Sequence, residues 1–190
     1  MLRVLAVNGS LRDGSHNGAL LGAAAGLLPA DAVLVEHDGL SLVPPYDESA
    51  DVAPPPAAVA ALRGALARAD AVLFSTPEYN SSIPGQLKNA LDWASRPFPE
   101  NALRGKPVAV VGASTGMFGA VWAQADLRRV LRTIGAQVID RELPVPFAHE
   151  RFDAAGRLID DDLADELADV LAALVARARP SDLGDLPVAV

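Results

Sequence analysis

A chain of 190 residues, 51% of them apolar, is long enough for one well-buried domain and too short for two ordinary ones. The formal net charge of −8, with lysine only at Lys88 and Lys106, argues against a nucleic-acid partner, which would need a basic face. No cysteine is present, which excludes disulfides, thiolate nucleophiles and cysteine metal sites.

The start, Met1-Leu2-Arg3-Val4, enters a strand-like stretch without a charged leader, a long apolar core or a cleavage site. No apolar run approaches the ~20 residues of a membrane span, so the expectation is a cytoplasmic protein without a membrane segment. Strand and helix patterns then alternate. Leu2 to Val7 reads as a strand, followed by a loop and a helix from about Asn17 to Leu28. Ala32 to His37 reads as the second strand, Pro44 to Pro56 as an irregular proline-rich stretch, and Ala57 to Arg68 as a helix. Ala71 to Ser75 is the third strand, and a helix follows its loop from about Gly85 to Ser95.

Pro107 to Gly112 is the fourth strand, ending at Ala113-Ser114-Thr115-Gly116. Ala120 to Ile134 is helical with Gly135 as its stop, Ala136 to Ile139 is the fifth strand, and Asp161 to Ala178 is the last helix. Asp160, Asp161 and Asp162 stand where carboxylates favour a helix N-terminus. Arg128, Arg129 and Arg132 have helical spacing and read as a solvated or subunit-facing helix face. Continuous apolar strands alternating with helices imply an α/β three-layer sandwich around a five-stranded parallel sheet. The flavodoxin-like order 2-1-3-4-5 is a common solution, with ligands beyond the carboxyl ends of the strands. The expected organisation is one domain over residues 1–179 and a tail over 180–190, either disordered or packed on a neighbour.

Two loops on that edge carry the chemistry. The first, Asn8-Gly9-Ser10-Leu11-Arg12-Asp13-Gly14-Ser15-His16-Asn17, mixes glycine, hydroxyls, an amide and one arginine before a helix. Converging donors at a helix N-terminus suit a phosphate. Gly9 and Gly14 have the spacing of a triphosphate loop, but Ser15 and His16 stand where that loop needs Lys and Ser or Thr. The plain alternative is an ordinary strand-to-helix turn with Ser15 or Asn17 as N-cap. The second loop, Thr76-Pro77-Glu78-Tyr79-Asn80-Ser81-Ser82-Ile83-Pro84-Gly85, has the prolines, aromatic and amides suited to gripping a flat ring. Together they look like the two halves of a flavin mononucleotide (FMN) site. His37 and His149 are isolated in sequence and read as structural or solvated.

The stretch from Thr76 through Gln86-Leu87-Lys88-Asn89-Ala90-Leu91-Asp92-Trp93, with Gly9-Ser10-Leu11-Arg12 and Ser15-His16-Asn17 before it, closely resembles the NADPH-dependent FMN reductase family. The nearest branch is that of the bacterial quinone and chromate reductases, and the likeness runs from about Leu2 to Asp140. The resemblance implies that Ser10, Arg12, Ser15, His16 and Asn17 hold the FMN phosphate. Pro77, Glu78, Tyr79 and Asn80 would then flank the isoalloxazine and ribityl chain, with Ser114 and Gly116 on the ring. Gly119-Ala120 replaces a commoner Gly-Gly, and Met117-Phe118 makes the rim apolar. Glu78 has no partner for acid–base work and reads as structural or ring-positioning. Lys88 and Asp92 read as a surface ion pair, and Trp93 as a subunit contact in preference to core.

The implied activity is hydride transfer from NAD(P)H through FMN to quinones or other small acceptors such as chromate, azo compounds or free flavin, in a homodimer or homotetramer. No nucleophile or metal site is needed. A flavodoxin-type electron carrier and a non-catalytic FMN-binding module are the rivals. A hydrolase is disfavoured by the lack of a G-x-S-x-G elbow.

Overall fold

Aliphatic and β-branched runs build the sheet in the computed structural model, which describes residues 1–179; the tail over 180–190 lies outside the described residues. The strands are β1 (Leu2–Asn8), β2 (Ala32–Glu36), β3 (Ala71–Ser75), β4 (Pro107–Ala113), β5 (Gln137–Val138) and β6 (Pro144–Val145). All pair in parallel in the order β2-β1-β3-β4-β5, with β6 also on β4. The helices are α1 (His16–Leu27), α2 (Ala57–Arg68), α3 (Gly85–Ala94), α4 (Val121–Ile134) and α5 (Asp161–Ala178).

Period-two alternation sends each strand's side chains to two cores. Leu5, Val7, Val72, Phe74, Val108 and Val110 meet α2, α3 and α4 on one face. Val4, Ala6, Ala71, Leu73, Ala109 and Val111 meet α1 and α5 on the other. Every residue of β3 is buried, as a strand covered on both faces must be. The helix signals are satisfied as their chemistry requires. Ser15 caps α1 by accepting from the Gly18 N–H, Asp160 caps α5 through Leu163, and Gly135 at φ 102° stops α4.

Two expectations are corrected. Trp93 is fully buried within the chain: its indole N–H donates to the Pro44 carbonyl at 2.8 Å, and its ring meets Tyr46 edge-on at 5.0 Å. It fastens the proline-rich stretch to α3 and is no subunit contact. Arg128 is also buried, because the outer strand is interrupted between β5 and β6. Its guanidinium donates to the Ile139 and Arg141 carbonyls at 2.9 and 2.6 Å and pairs with Asp140 at 2.9 Å. Those carbonyls have left the ladder, and a charged fork satisfies both at once. Only Arg129 and Arg132 remain on the solvated face expected of all three. Lys88 and Asp92 do pair on the surface, at 2.6 Å.

The strand β6 was not legible. Two residues inside Leu143-Pro144-Val145-Pro146 carry too little pattern, and proline argues against a strand. Pro144 is tolerated because it stands at the start of an outer strand.

Candidate active site

The registers Asn8↔Ser75 and Ser75↔Val111 bring the carboxyl ends of β1, β3 and β4 level, so their three loops share one edge. The first loop is organised by Asn8, whose Oδ1 accepts from the Ser10 N–H at 3.0 Å in an Asx turn. Its Nδ2 donates to Ser15 Oγ at 3.3 Å, and Ser15 Oγ also accepts from the Gly18 N–H at 3.1 Å. Both oxygen roles of Ser15 are therefore filled by acceptance, which leaves its hydroxyl proton to point into the loop. Ser10 Oγ similarly accepts from the Arg12 N–H at 3.3 Å and retains its proton. The first-turn N–H groups of α1 at His16 and Asn17 have no intrahelical partner. Arg12 is exposed and enters none of the ion pairs among the described residues. Burial, then the charge of Arg12 and His149, holds the His16 imidazole below the usual histidine range. Near neutral pH the positive charge of this loop is thus that of Arg12. A cradle of hydroxyl and backbone donors with one free guanidinium fits a phosphate.

Asn17 departs from its expected role as an amide donor to that phosphate. Its side chain is buried and both of its polar atoms are bonded within the protein: Oδ1 accepts from Ser75 Oγ at 2.8 Å and from the Ala113 N–H at 3.0 Å, while Nδ2 donates to the Ala113 carbonyl at 2.9 Å. It ties α1 to the ends of β3 and β4, and its backbone N–H is among the unpaired first-turn donors of α1.

In the second loop Pro77 is buried against Gly9, whose N–H donates to the Ser75 carbonyl at 2.8 Å. Tyr79 and Ser82 exchange both backbone hydrogen bonds across Asn80 and Ser81, which adopt φ of 52° and 61°. This tight two-residue turn leaves Tyr79 and Asn80 exposed on the rim. Glu78 is structural. Its Oε2 accepts from the Trp122 and Ala123 N–H groups at 3.0 and 3.1 Å, capping α4, whose own N-cap residue Ala120 supplies no side-chain bond.

The loop after β4 is held by β6. The Ser114 N–H donates to the Val145 carbonyl at 3.1 Å, and the Gly116 carbonyl accepts from the Phe147 N–H at 3.2 Å. Ser114 Oγ accepts from the Gly116 N–H at 3.1 Å. Tyr79, Met117, Phe118, Trp122 and Phe147 are exposed on this side, and Phe118 and Trp122 meet edge to face at 4.7 Å.

A cleft of about 1100 Å³ gathers Ser10, Arg12, Ser15 and His16 with residues not expected there: Glu36, His37 and Asp38 from the end of β2, and His149, Phe152 and Asp153 from the stretch before α5. Pro77, Glu78, Tyr79, Asn80, Ser114 and Gly116 do not line it; they stand further along the same edge. His37 and His149, distant in sequence, thus share one cleft with His16.

Residues 2–150 match the family model described as NADPH-dependent FMN reductase. The chain belongs to the NADPH-dependent FMN reductase family. The reductase is 44% identical over 174 residues to an NAD(P)H-dependent FMN reductase of Pseudomonas aeruginosa, covering 91% of this chain and 93% of that one. It is 40% identical to a 2-hydroxy-1,4-benzoquinone reductase of a Burkholderia species, covering 85% and 87% of the two chains. Against the quinone reductase of Escherichia coli K12 the identity is 37%, over 90% and 93%. Among solved structures the reductase resembles FerB, a flavoenzyme NAD(P)H:(acceptor) oxidoreductase from Paracoccus denitrificans. The TM-score is 0.84 at 34% identity, covering 94% of this chain and 97% of that one. The reductase is thus an FMN-dependent oxidoreductase of flavodoxin-like fold that takes NAD(P)H as its co-substrate.

Proposed function

We propose that this chain oxidises NAD(P)H at bound FMN and reduces quinones, with the first loop holding the FMN phosphate and the second and fourth loops flanking the ring. The observation that carries this reading is the donor cradle of Ser10, Ser15 and the α1 N-terminus beside an unpaired Arg12, on the same sheet edge as Pro77 and Ser114. When bound, FMN supplies the hydride-accepting and hydride-donating ring. The protein's part is placement. Ser10, Arg12, Ser15 and the His16 and Asn17 N–H groups bind the phosphate; Pro77, Tyr79, Asn80, Ser114 and Gly116 border the ring. Asn17 and Glu78 act indirectly, by fixing the three loops to one another.

The exposed aromatic rim supports a homodimer or homotetramer, with a small-molecule acceptor entering beside it. No helix among the described residues is long and apolar enough to cross a membrane; a cytoplasmic setting is part of the proposed reading. Steady-state oxidation of NADH and NADPH by the purified, FMN-loaded chain with quinone, chromate and free-flavin acceptors tests the proposal. Turnover that needs a separate reductase would instead make the protein an electron carrier.

Arg12→Ala is expected to weaken FMN binding by roughly 10- to 150-fold, the effect of about 1.5–3 kcal/mol from one charge-assisted bond. Flavin-fluorescence titration reads it directly, and an unchanged Kd would remove Arg12 from the site.

A further inference from the structure

The cleft of about 1100 Å³ is far larger than one phosphate needs, and its far half has its own chemistry. Beyond Arg12 its wall is the end of β2, where Glu36 and Asp38 are exposed. Neither enters an ion pair among the described residues, whereas Asp153 across the cleft is engaged by Arg157 at 2.7 Å. The opposite wall presents Phe152, stacked on His16 at 6.0 Å with 22° between the rings. The floor is α1 at Gly22, where a side chain would meet open space. A flat aromatic wall, a smooth floor and two unengaged carboxylates make a pocket for a nucleoside: a base against the ring, and a ribose diol donating to the carboxylates.

We propose that this cleft seats the adenosine end of the reducing dinucleotide, and that Glu36 and Asp38 select a free ribose 2′-hydroxyl, so that NADH is the preferred reductant. The inference rests on the reading of the chain as an NAD(P)H oxidase of bound flavin. The topology supplies the reach. β2 lies two strands from β3 and three from β4, about 10 and 14 Å at the usual strand spacing, which an extended dinucleotide spans from the cleft to the ring loops. Carboxylates at the end of a second strand suit ribose hydroxyls, whereas a 2′-phosphate calls for an arginine there. Here the fixed charges lining the cleft are Asp13, Glu36, Asp38 and Asp153 against Arg12 alone. Arg12 stands on the flavin-phosphate side, and burial holds the His16 and His37 imidazoles below the usual histidine range. A 2′-phosphate therefore meets carboxylates with no arginine or lysine beside them.

The test uses the FMN-loaded protein with 5′-AMP and 2′,5′-ADP as probes, by calorimetric titration and as inhibitors of NADH oxidation. 5′-AMP is expected to bind and to compete with NADH, and 2′,5′-ADP to bind at least tenfold more weakly. The double variant E36Q/D38N is expected to raise the NADPH-to-NADH ratio of kcat/KM at least tenfold, and F152A to weaken 5′-AMP at least fivefold. Both carboxylates are exposed, so the double variant carries no folding burden, and the comparison of the two probes needs no variant at all. Normal NADH oxidation with 2′,5′-ADP binding as tightly as 5′-AMP, with 5′-AMP not competing, or with an unmoved coenzyme ratio in E36Q/D38N overturns the inference and leaves the proposed function standing. Absence of any NAD(P)H oxidation overturns the proposed function itself.

Discussion

Asn17→Ala is expected to destabilise the protein by about 3–5 kcal/mol and to release FMN, because both polar side-chain atoms of Asn17 are bonded within the protein. Truncation strands the Ala113 N–H and carbonyl and the Ser75 hydroxyl, all buried, at about 1–3 kcal/mol each, partly relieved by rotation of Ser75. The same bonds align the first loop with the ends of β3 and β4, so flavin affinity falls with stability. Ser75→Ala, which removes one neutral bond, should cost only about 1 kcal/mol. Urea unfolding of both variants, paired with FMN titration, separates the roles. A cost below 1 kcal/mol for Asn17→Ala, with FMN affinity reduced, would return its amide to the phosphate.

The second large effect is expected at Gly119. Its φ is 57°, and a Cβ there would lie 2.6 Å from the Val145 nitrogen and 2.7 Å from the Pro144 carbonyl carbon. Both are backbone atoms of β6, so no side chain can swing aside. Gly119→Ala therefore combines a left-handed penalty of about 1–2 kcal/mol with about 1–3 kcal/mol of overpacking. The displaced strand holds Ser114 through Val145 and leads into Phe147, which bonds Gly116, so flavin affinity should fall as well. Thermal melting and FMN titration of Gly119→Ala measure both. Wild-type values for each would mean that β6 is not packed on this turn.

Ala120 follows Gly119 in the same left-handed region, at φ 64°, at the position where the resemblance implies a second glycine. The departure noticed in the sequence is therefore an alanine held in a conformation that glycine adopts more cheaply. The fold was legible because the strands are continuous apolar runs and three of the main helices bear a cap or stop in their own residues: Ser15 for α1, Gly135 for α4 and Asp160 for α5. The donor loop was legible for the same reason: its chemistry is local. What escaped were relations between distant residues. Nothing in the sequence pairs Glu78 with the N-terminus of α4 or Asn17 with Ala113, and Trp93 and Arg128 resemble surface residues until the chain around them is folded. The cleft escaped as well, since Glu36, His149 and Phe152 meet only through the topology.

The interruption between β5 and β6 has a consequence for colloidal behaviour. An unbroken outer strand on β4 would offer a row of free N–H and C=O groups on which another chain could continue the sheet. Here that border is two pieces of two residues each, with Asp140, Arg141 and Glu142 between them and the departing carbonyls already claimed by Arg128. Short, kinked and charged, it offers no template for strand addition. Self-association of this acidic protein is thereby steered away from that border of the sheet, and fibrillar growth along it is suppressed by the same arginine that closes the gap.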